Sequence, residues 1–192
     1  MENLSVNILS VPSDEDWLTA KQFAYRTMGK STTKYPDEKW KRMILCAEHS
    51  PVRSLLVKWE WVNLPYWISV HFVRHKIGIE HFVRSQRNDR QSNYDRNIAP
   101  QNAAVTHSCV ANLQAIINIS KVRLCKNASK ETRLAWGVFL GGLITYMPEM
   151  NDFCQPSCIY RGGICPEPKS CGYNKTAQFA HCLKDYKELF GG

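Results

Sequence analysis

Arg74-His75-Lys76 and, eight residues further on, Ser85-Gln86-Arg87 are the residues of this chain with the clearest capacity for chemistry. With Arg84, Arg90 and Arg96 they crowd cationic side chains, and the histidines His75 and His81, into a short span where like charges repel. Anions relieve that repulsion, so the segment reads as one that handles phosphate. A solvated basic face is the competing reading of any charge run. Against it stands the lead-in, Pro65-Tyr66-Trp67-Ile68-Ser69-Val70-His71-Phe72-Val73, an apolar run that delivers Arg74 from a packed element.

A second group of reactive side chains lies late in the chain. Cys154, Cys158, Cys165 and Cys171 are separated by three, six and five residues, among Pro, Gly and Ser. The spacing does not match the tight pairs of a zinc ribbon, yet four thiols in such a loop can close a tetrahedral zinc site. Free thiols are the alternative. Cys182, beside His181, could replace one ligand, whereas Cys46, Cys109 and Cys125 fall on predicted helical faces and read as core. No signal-peptide pattern opens the chain and no apolar run is long enough to cross a bilayer, so a cytoplasmic location is expected. In that compartment cysteines read as thiols or metal ligands before disulfides, and the Asn-x-Ser/Thr tripeptides at Asn118, Asn127 and Asn174 carry no glycan.

The elements that must position these groups can be read from periodicity. The 192 residues suffice for one domain with a small appendage, and a net charge of +8 favours an anionic partner. Leu4 to Leu9 alternates as a strand, and Ser13 followed by Asp16 starts a helix through Thr27. Gly29-Lys30-Ser31-Thr32 is a turn rather than a phosphate loop, because the leading Gly is missing. A helix from Asp37 carries Trp40, Met43, Ile44 and Ala47 on its apolar face and ends at His49-Ser50-Pro51. Leu55 to Trp61 has period two. Pro65 opens a helix toward Arg74, and residues 85–100 read as a surface loop. Asn102 to Arg123 is expected to be one long helix with Val105, Cys109, Leu113, Ile116, Ile117 and Ile119 on its stripe. Ser129 caps a second core helix, and a last one runs from Asn174 to Phe190. The expected fold class is α+β, with helices packed on a small sheet. Residues 1–150 would form the main domain and residues 151–192 a Cys-rich loop with a C-terminal helix.

In this order and spacing the residues resemble the flavin-dependent thymidylate synthases, the class that makes thymidylate without a nucleophilic cysteine. That family carries Arg-His-Arg, seven residues, then Ser-x-Arg; Arg74-His75-Lys76 and Ser85-x-Arg87 match with one extra residue between them. Arg96-x-x-x-Pro100 follows, then Asn112, Asn118 and Arg123 at the family's intervals of six and five. His49-Ser50-Pro51 is similar to the family's upstream His/Pro segment, and Ala128 and Glu131 continue the match. The likeness spans roughly Ala20 to Ala135.

The resemblance implies that FAD is held by Arg74, His75, Lys76, Asn112, Asn118 and His49. It implies a pyrimidine nucleotide, dUMP or a relative, against Ser85, Gln86, Arg87, Arg96 and His71, with Arg123 at the base as the catalytic group. NADPH and methylenetetrahydrofolate are the implied co-substrates, and a homotetramer with shared active sites the implied assembly. The residue types suit these roles. Asn can donate and accept at an amide-like ring edge. A guanidinium fork matches phosphate oxygens, and a permanent positive charge over the base stabilises the enolate-like charge that builds as C5 becomes nucleophilic.

Some positions depart from the family pattern. Lys76 stands where Arg is usual, Val83 where an acidic residue precedes the serine by two, and Gln114 where an Arg meets the flavin. These changes leave Arg123 and the phosphate-binding groups in place while opening the reaction to a relative that hydroxymethylates the base. A reading of another class is a single-strand nucleic-acid-binding module stapled by zinc through Cys154, Cys158, Cys165 and Cys171. It predicts colourless protein and steeply salt-dependent binding. Nucleic acid is the less expected partner, because most of the aromatic residues fall in core-like patterns, and no membrane partner is expected.

Overall fold

A computed structural model describes residues 3–91 and 94–189. The chain runs through β1 (Ser5–Ser10), α1 (Asp14–Arg26), α2 (Glu38–Cys46), β2 (Leu56–Pro65), α3 (Tyr66–Phe72), β3 (Ile79–Val83), β4 (Ala104–Asn112), α4 (Leu113–Arg123), α5 (Lys130–Ile144), α6 (Met150–Phe153), α7 (Ser157–Tyr160) and α8 (Ala177–Glu188). The four strands form one antiparallel sheet in the order β1-β2-β4-β3. The fold class is α+β. Among the described residues no helix is long and apolar enough to cross a membrane.

Local chemistry sets the helix starts. Ser13 Oγ accepts from the Asp16 backbone N–H at 3.2 Å while the Asp16 carboxylate accepts from the Ser13 N–H at 2.8 Å. The Ser13 hydroxyl, donating to the Asp16 carboxylate at 2.7 Å, and then the Ser13 N–H hold that carboxyl below its ordinary pKa. The side chains of Asp37, Ser129 and Thr176 cap α2, α5 and α8 by accepting from the backbone N–H of Trp40, Thr132 and Phe179.

One face of the sheet is packed. Trp59 and Trp61, two residues apart on β2, point into the core beside Trp136 and Phe139 of α5 and Phe72 of α3. Trp61 stacks on Phe72 at 4.6 Å and Trp59 on Phe139 at 4.2 Å. The Trp61 indole N–H donates to the Ala135 carbonyl at 3.0 Å, so the ring is buried with its polar end satisfied. Gly142 lets α5 lie close to β1, since a Cβ there would sit 3.0 Å from Val6 Cγ1.

The structure corrects several expectations. The single helix over 102–123 is instead strand β4 running directly into helix α4. Val105, His107, Cys109 and Ala111 are all buried and alternate with more exposed neighbours, a period of two. The stripe from Val105 through Cys109 to Leu113 has a spacing of four, which fits both periods. Pairing with β2 and β3 and the β-branched Val105, Thr106 and Val110 decide it. Strand β3 lies inside the basic segment and was not expected. In α2, Met43 is exposed while Leu45 is buried. The last helix starts at Ala177 rather than Asn174, and its expected end at Phe190 lies outside the described residues.

Candidate functional site

Helix α4 organises the candidate site, and its first turn is fixed from outside. Asn112 Oδ1 accepts from the Ala115 N–H at 2.8 Å, capping the helix. The same side chain packs on Gly78, where a Cβ would fall 2.6 Å from Asn112 Nδ2 and where φ is +73°. Only glycine meets both demands at that turn. The backbone bond from the Asn112 N–H to the Gly78 carbonyl, 2.9 Å, completes the junction. The Arg74-His75-Lys76 turn is thereby set beside α4.

At the other end of the helix Arg123 turns back to that triplet. Its Nε donates to His75 Nε2 at 2.9 Å and its Nη2 to the His71 carbonyl at 2.6 Å. Burial lowers the Arg123 pKa, and the charge of Arg74 lowers it further. A partly desolvated Arg123 guanidinium with the exposed Arg74 near it favours an anion or a polarised oxygen between them. Burial, and then the charge of Arg123, push His75 down to about 4. His71 is also lowered by burial and by Arg123 and Arg74; its Nδ1 lies 2.8 Å from Thr132 Oγ1.

A cleft of about 360 Å³ opens here, lined by Arg74, His75, Lys76, Ile77, Ala115, Asn118 and Ile119. Asn118 Oδ1 accepts from Gln114 Nε2 at 3.3 Å and from Lys121 Nζ at 3.5 Å. That orientation leaves its amide N–H groups for a ligand. Glu48, in a left-handed backbone conformation, receives both Gln114 Nε2 and Lys121 Nζ, the latter at 2.6 Å. Gln114 is buried and its Oε1 has no partner among the described residues.

Beneath His75 lies a buried cluster with no counterpart in the sequence reading. His81 Nε2 donates to the His75 carbonyl at 2.9 Å, so its Nδ1 is an acceptor when the ring is neutral. That atom faces His107 Nε2 at 3.0 Å and Cys109 Sγ at 3.4 Å. Burial pushes His107 down to about 3 and raises the Cys109 thiol, so both are uncharged. The ligand atoms of these three residues lie within 4.8 Å of one another. The alternation of His107 and Cys109 along β4 was the available signal.

The remaining expected residues are elsewhere. Ser85, Arg87 and Arg96 share the loop after β3, where Ser85 Oγ accepts from the Arg87 N–H at 3.3 Å and Asn88 Oδ1 from the Arg96 N–H at 2.9 Å. The Arg87 fork closes on Asp89 at 2.9 and 2.6 Å. No hydrogen bond among the described residues joins Ser85, Gln86, Arg87 or Arg96 to Arg123 or the cleft. His49 is exposed at the start of the 3-10 turn Ser50–Ser54, and Asn112 caps α4 without lining the cleft.

The cysteine set is also rearranged. Cys154 is buried in the core, where loss of solvation pushes its thiol up to about 12. Cys158, Cys165 and Cys171 line one small enclosure, and the fourth thiol there is Cys125. Cys125 follows α4 rather than belonging to the core, and nothing in its local pattern marked it as a partner of the late cysteines.

The fold is similar to that of thymidylate synthase X from Helicobacter pylori, solved with FAD and dUMP. The two share 14% identity at a TM-score of 0.57, over 74% of this chain and 96% of that one. No family model matches the sequence, and no curated protein matches it.

Proposed function

We propose that this chain is a flavin-dependent thymidylate synthase-like enzyme, transferring a folate one-carbon unit to C5 of dUMP to give dTMP. The observation that carries the reading is the bond from Arg123 to His75, a residue that lines one cleft together with Arg74, Lys76 and Asn118. The likeness in fold to a protein solved with FAD and dUMP supports it.

The side chains fit FAD. Arg74 and Lys76 are exposed cations suited to a pyrophosphate, and Asn118 has amide N–H groups to offer a ring edge. At about 360 Å³ the cleft lies near the lower end of ligand sites, which run from about 300 to 1,000 Å³. It takes part of a dinucleotide, and the rest would lie against another copy of the chain. Bound there, FAD supplies the redox chemistry, with NADPH as reductant and methylenetetrahydrofolate as one-carbon donor.

In this reading the chain's own residues hold and polarise the pyrimidine. Arg123 donates its Nε–H to the neutral His75 ring and its Nη2–H to the His71 carbonyl, and its remaining Nη1 would be the group to offer the base oxygen where negative charge grows. Ser85, Gln86, Arg87 and Arg96 would bind the nucleotide in the cleft of a neighbouring copy, so sites are shared between copies, in the homotetramer that the resemblance implies. His71 contributes through its carbonyl, which steadies Arg123.

The test is flavin titration followed by product analysis with dUMP, methylenetetrahydrofolate and NADPH. Bound flavin and a methylated product support the proposal. A hydroxymethylated product would assign the chain to a base-hydroxymethylating relative, and failure to bind FAD would overturn the reading.

A further inference from the structure

We propose that Cys125, Cys158, Cys165 and Cys171 form a structural zinc site that fastens the C-terminal segment to the end of α4. Four cysteines line one small cavity of about 10 Å³, with Glu167 and Asn174 also on its wall, close to the smallest space that holds a single water. A space of that size with four cysteines on its wall suits one ion and no larger ligand. Zinc is the metal that four thiolates in a closed tetrahedral setting select.

The chain around the cavity is built to bring these ligands together. Ser157 Oγ donates to the Lys121 carbonyl of α4 at 2.9 Å, and Asn127 Nδ2 donates to the Lys169 carbonyl at 2.8 Å. Lys126 Nζ lies 4.9 Å from the centre of the Tyr173 ring. Asn174 Nδ2 donates to the Gly163 carbonyl at 2.9 Å, closing the loop that carries Cys165 and Cys171. Between Tyr160 and Ala177 the segment has no helix or strand beyond the 3-10 turn Tyr173–Lys175. Loop-rich pieces of this kind are ordered by a staple.

Among the described residues the ligand atoms of His81, His107 and Cys109 lie within 4.8 Å of one another, and no three of the four sulfurs are that close. That trio is already joined by hydrogen bonds, whereas the four cysteines share the wall of one small cavity. Zinc would draw the four sulfurs to about 2.3 Å from the ion, releasing their protons to solvent as the Zn–S bonds form.

The test uses the full chain expressed with zinc and analysed by native mass spectrometry, with cobalt substitution to read ligand type. One zinc per chain is expected, with the charge-transfer and d–d bands of tetrahedral thiolate when cobalt replaces it. Cys125→Ser should lose the metal and Cys154→Ser should retain it. On the unaltered protein, alkylation mapping should find Cys125, Cys158, Cys165 and Cys171 protected until a chelator is added, with Cys46 labelling unchanged. The proposal is overturned by a chain that takes up neither metal, by metal lost from Cys154→Ser but kept by Cys125→Ser, or by a Cys125–Cys171 disulfide in the native protein.

Discussion

Arg123 donates its Nε–H to His75 Nε2 across 2.9 Å, and that contact fixes the state of the histidine. A guanidinium has no acceptor, so His75 accepts at Nε2 and carries its proton on Nδ1 as a neutral ring.

The same geometry gives a pH dependence. His75 at about 4 and His107 at about 3 both lie below the ordinary histidine value of 6.5, because burial disfavours their charged forms. The unfolded chain therefore binds more protons than the folded one below 6.5. The stability these rings contribute is complete above that pH and is lost as pH falls toward 4 and then 3. Urea midpoints measured from pH 7.5 down to pH 4 should drop across the window. His107→Phe, which removes one buried titrating ring, should flatten the slope.

The junction of Gly78 with Asn112 should be intolerant of small changes. Gly78→Ala places a Cβ 2.6 Å from Asn112 Nδ2 in a left-handed backbone, at a cost of about 1–3 kcal/mol. Asn112→Ala removes the α4 cap and should cost about 1 kcal/mol. Chemical denaturation of the two variants checks both values.

Asn118 should separate binding from folding. It is exposed, and its partners Gln114 and Lys121 can each turn to Glu48 instead. Asn118→Ala should stay within about 0.5 kcal/mol of the parent in stability. Fluorescence titration should find its FAD affinity reduced by about ten-fold, the loss of a hydrogen bond or two.

Arg87 should act on the nucleotide alone. Its pairing with Asp89 is exposed on both sides and contributes little to stability. Arg87→Ala should leave the unfolding midpoint unchanged and weaken dUMP binding by about 10- to 100-fold, which calorimetry can measure.

The α+β fold class, the helix caps at Ser13 and Ser129 and a helix start near Asp37 were legible in the sequence, and the order of the motifs in the resemblance set Arg123 beside Arg74-His75, though it set Arg96 there too and no hydrogen bond among the described residues joins Arg96 to them. Each rests on local pattern or on motif order. The strand β4 was missed because Val105, Cys109 and Leu113 are spaced by four, a distance shared by both periodicities, and only partners on β2 and β3 resolve it. Cys125 was read as core because its association with Cys158, Cys165 and Cys171 depends on how the chain returns across α4. Glu48 and Gln114 meet from positions 66 residues apart, a contact no local pattern can announce.

The most direct test of the account compares Arg123→Ala with the parent in tritium release from C5-labelled dUMP, both loaded with FAD and supplied with folate and NADPH. The account predicts that the variant keeps its yellow chromophore while release falls by about 10²- to 10³-fold, as when one charge-stabilising donor is removed. Equal release from both proteins would contradict it.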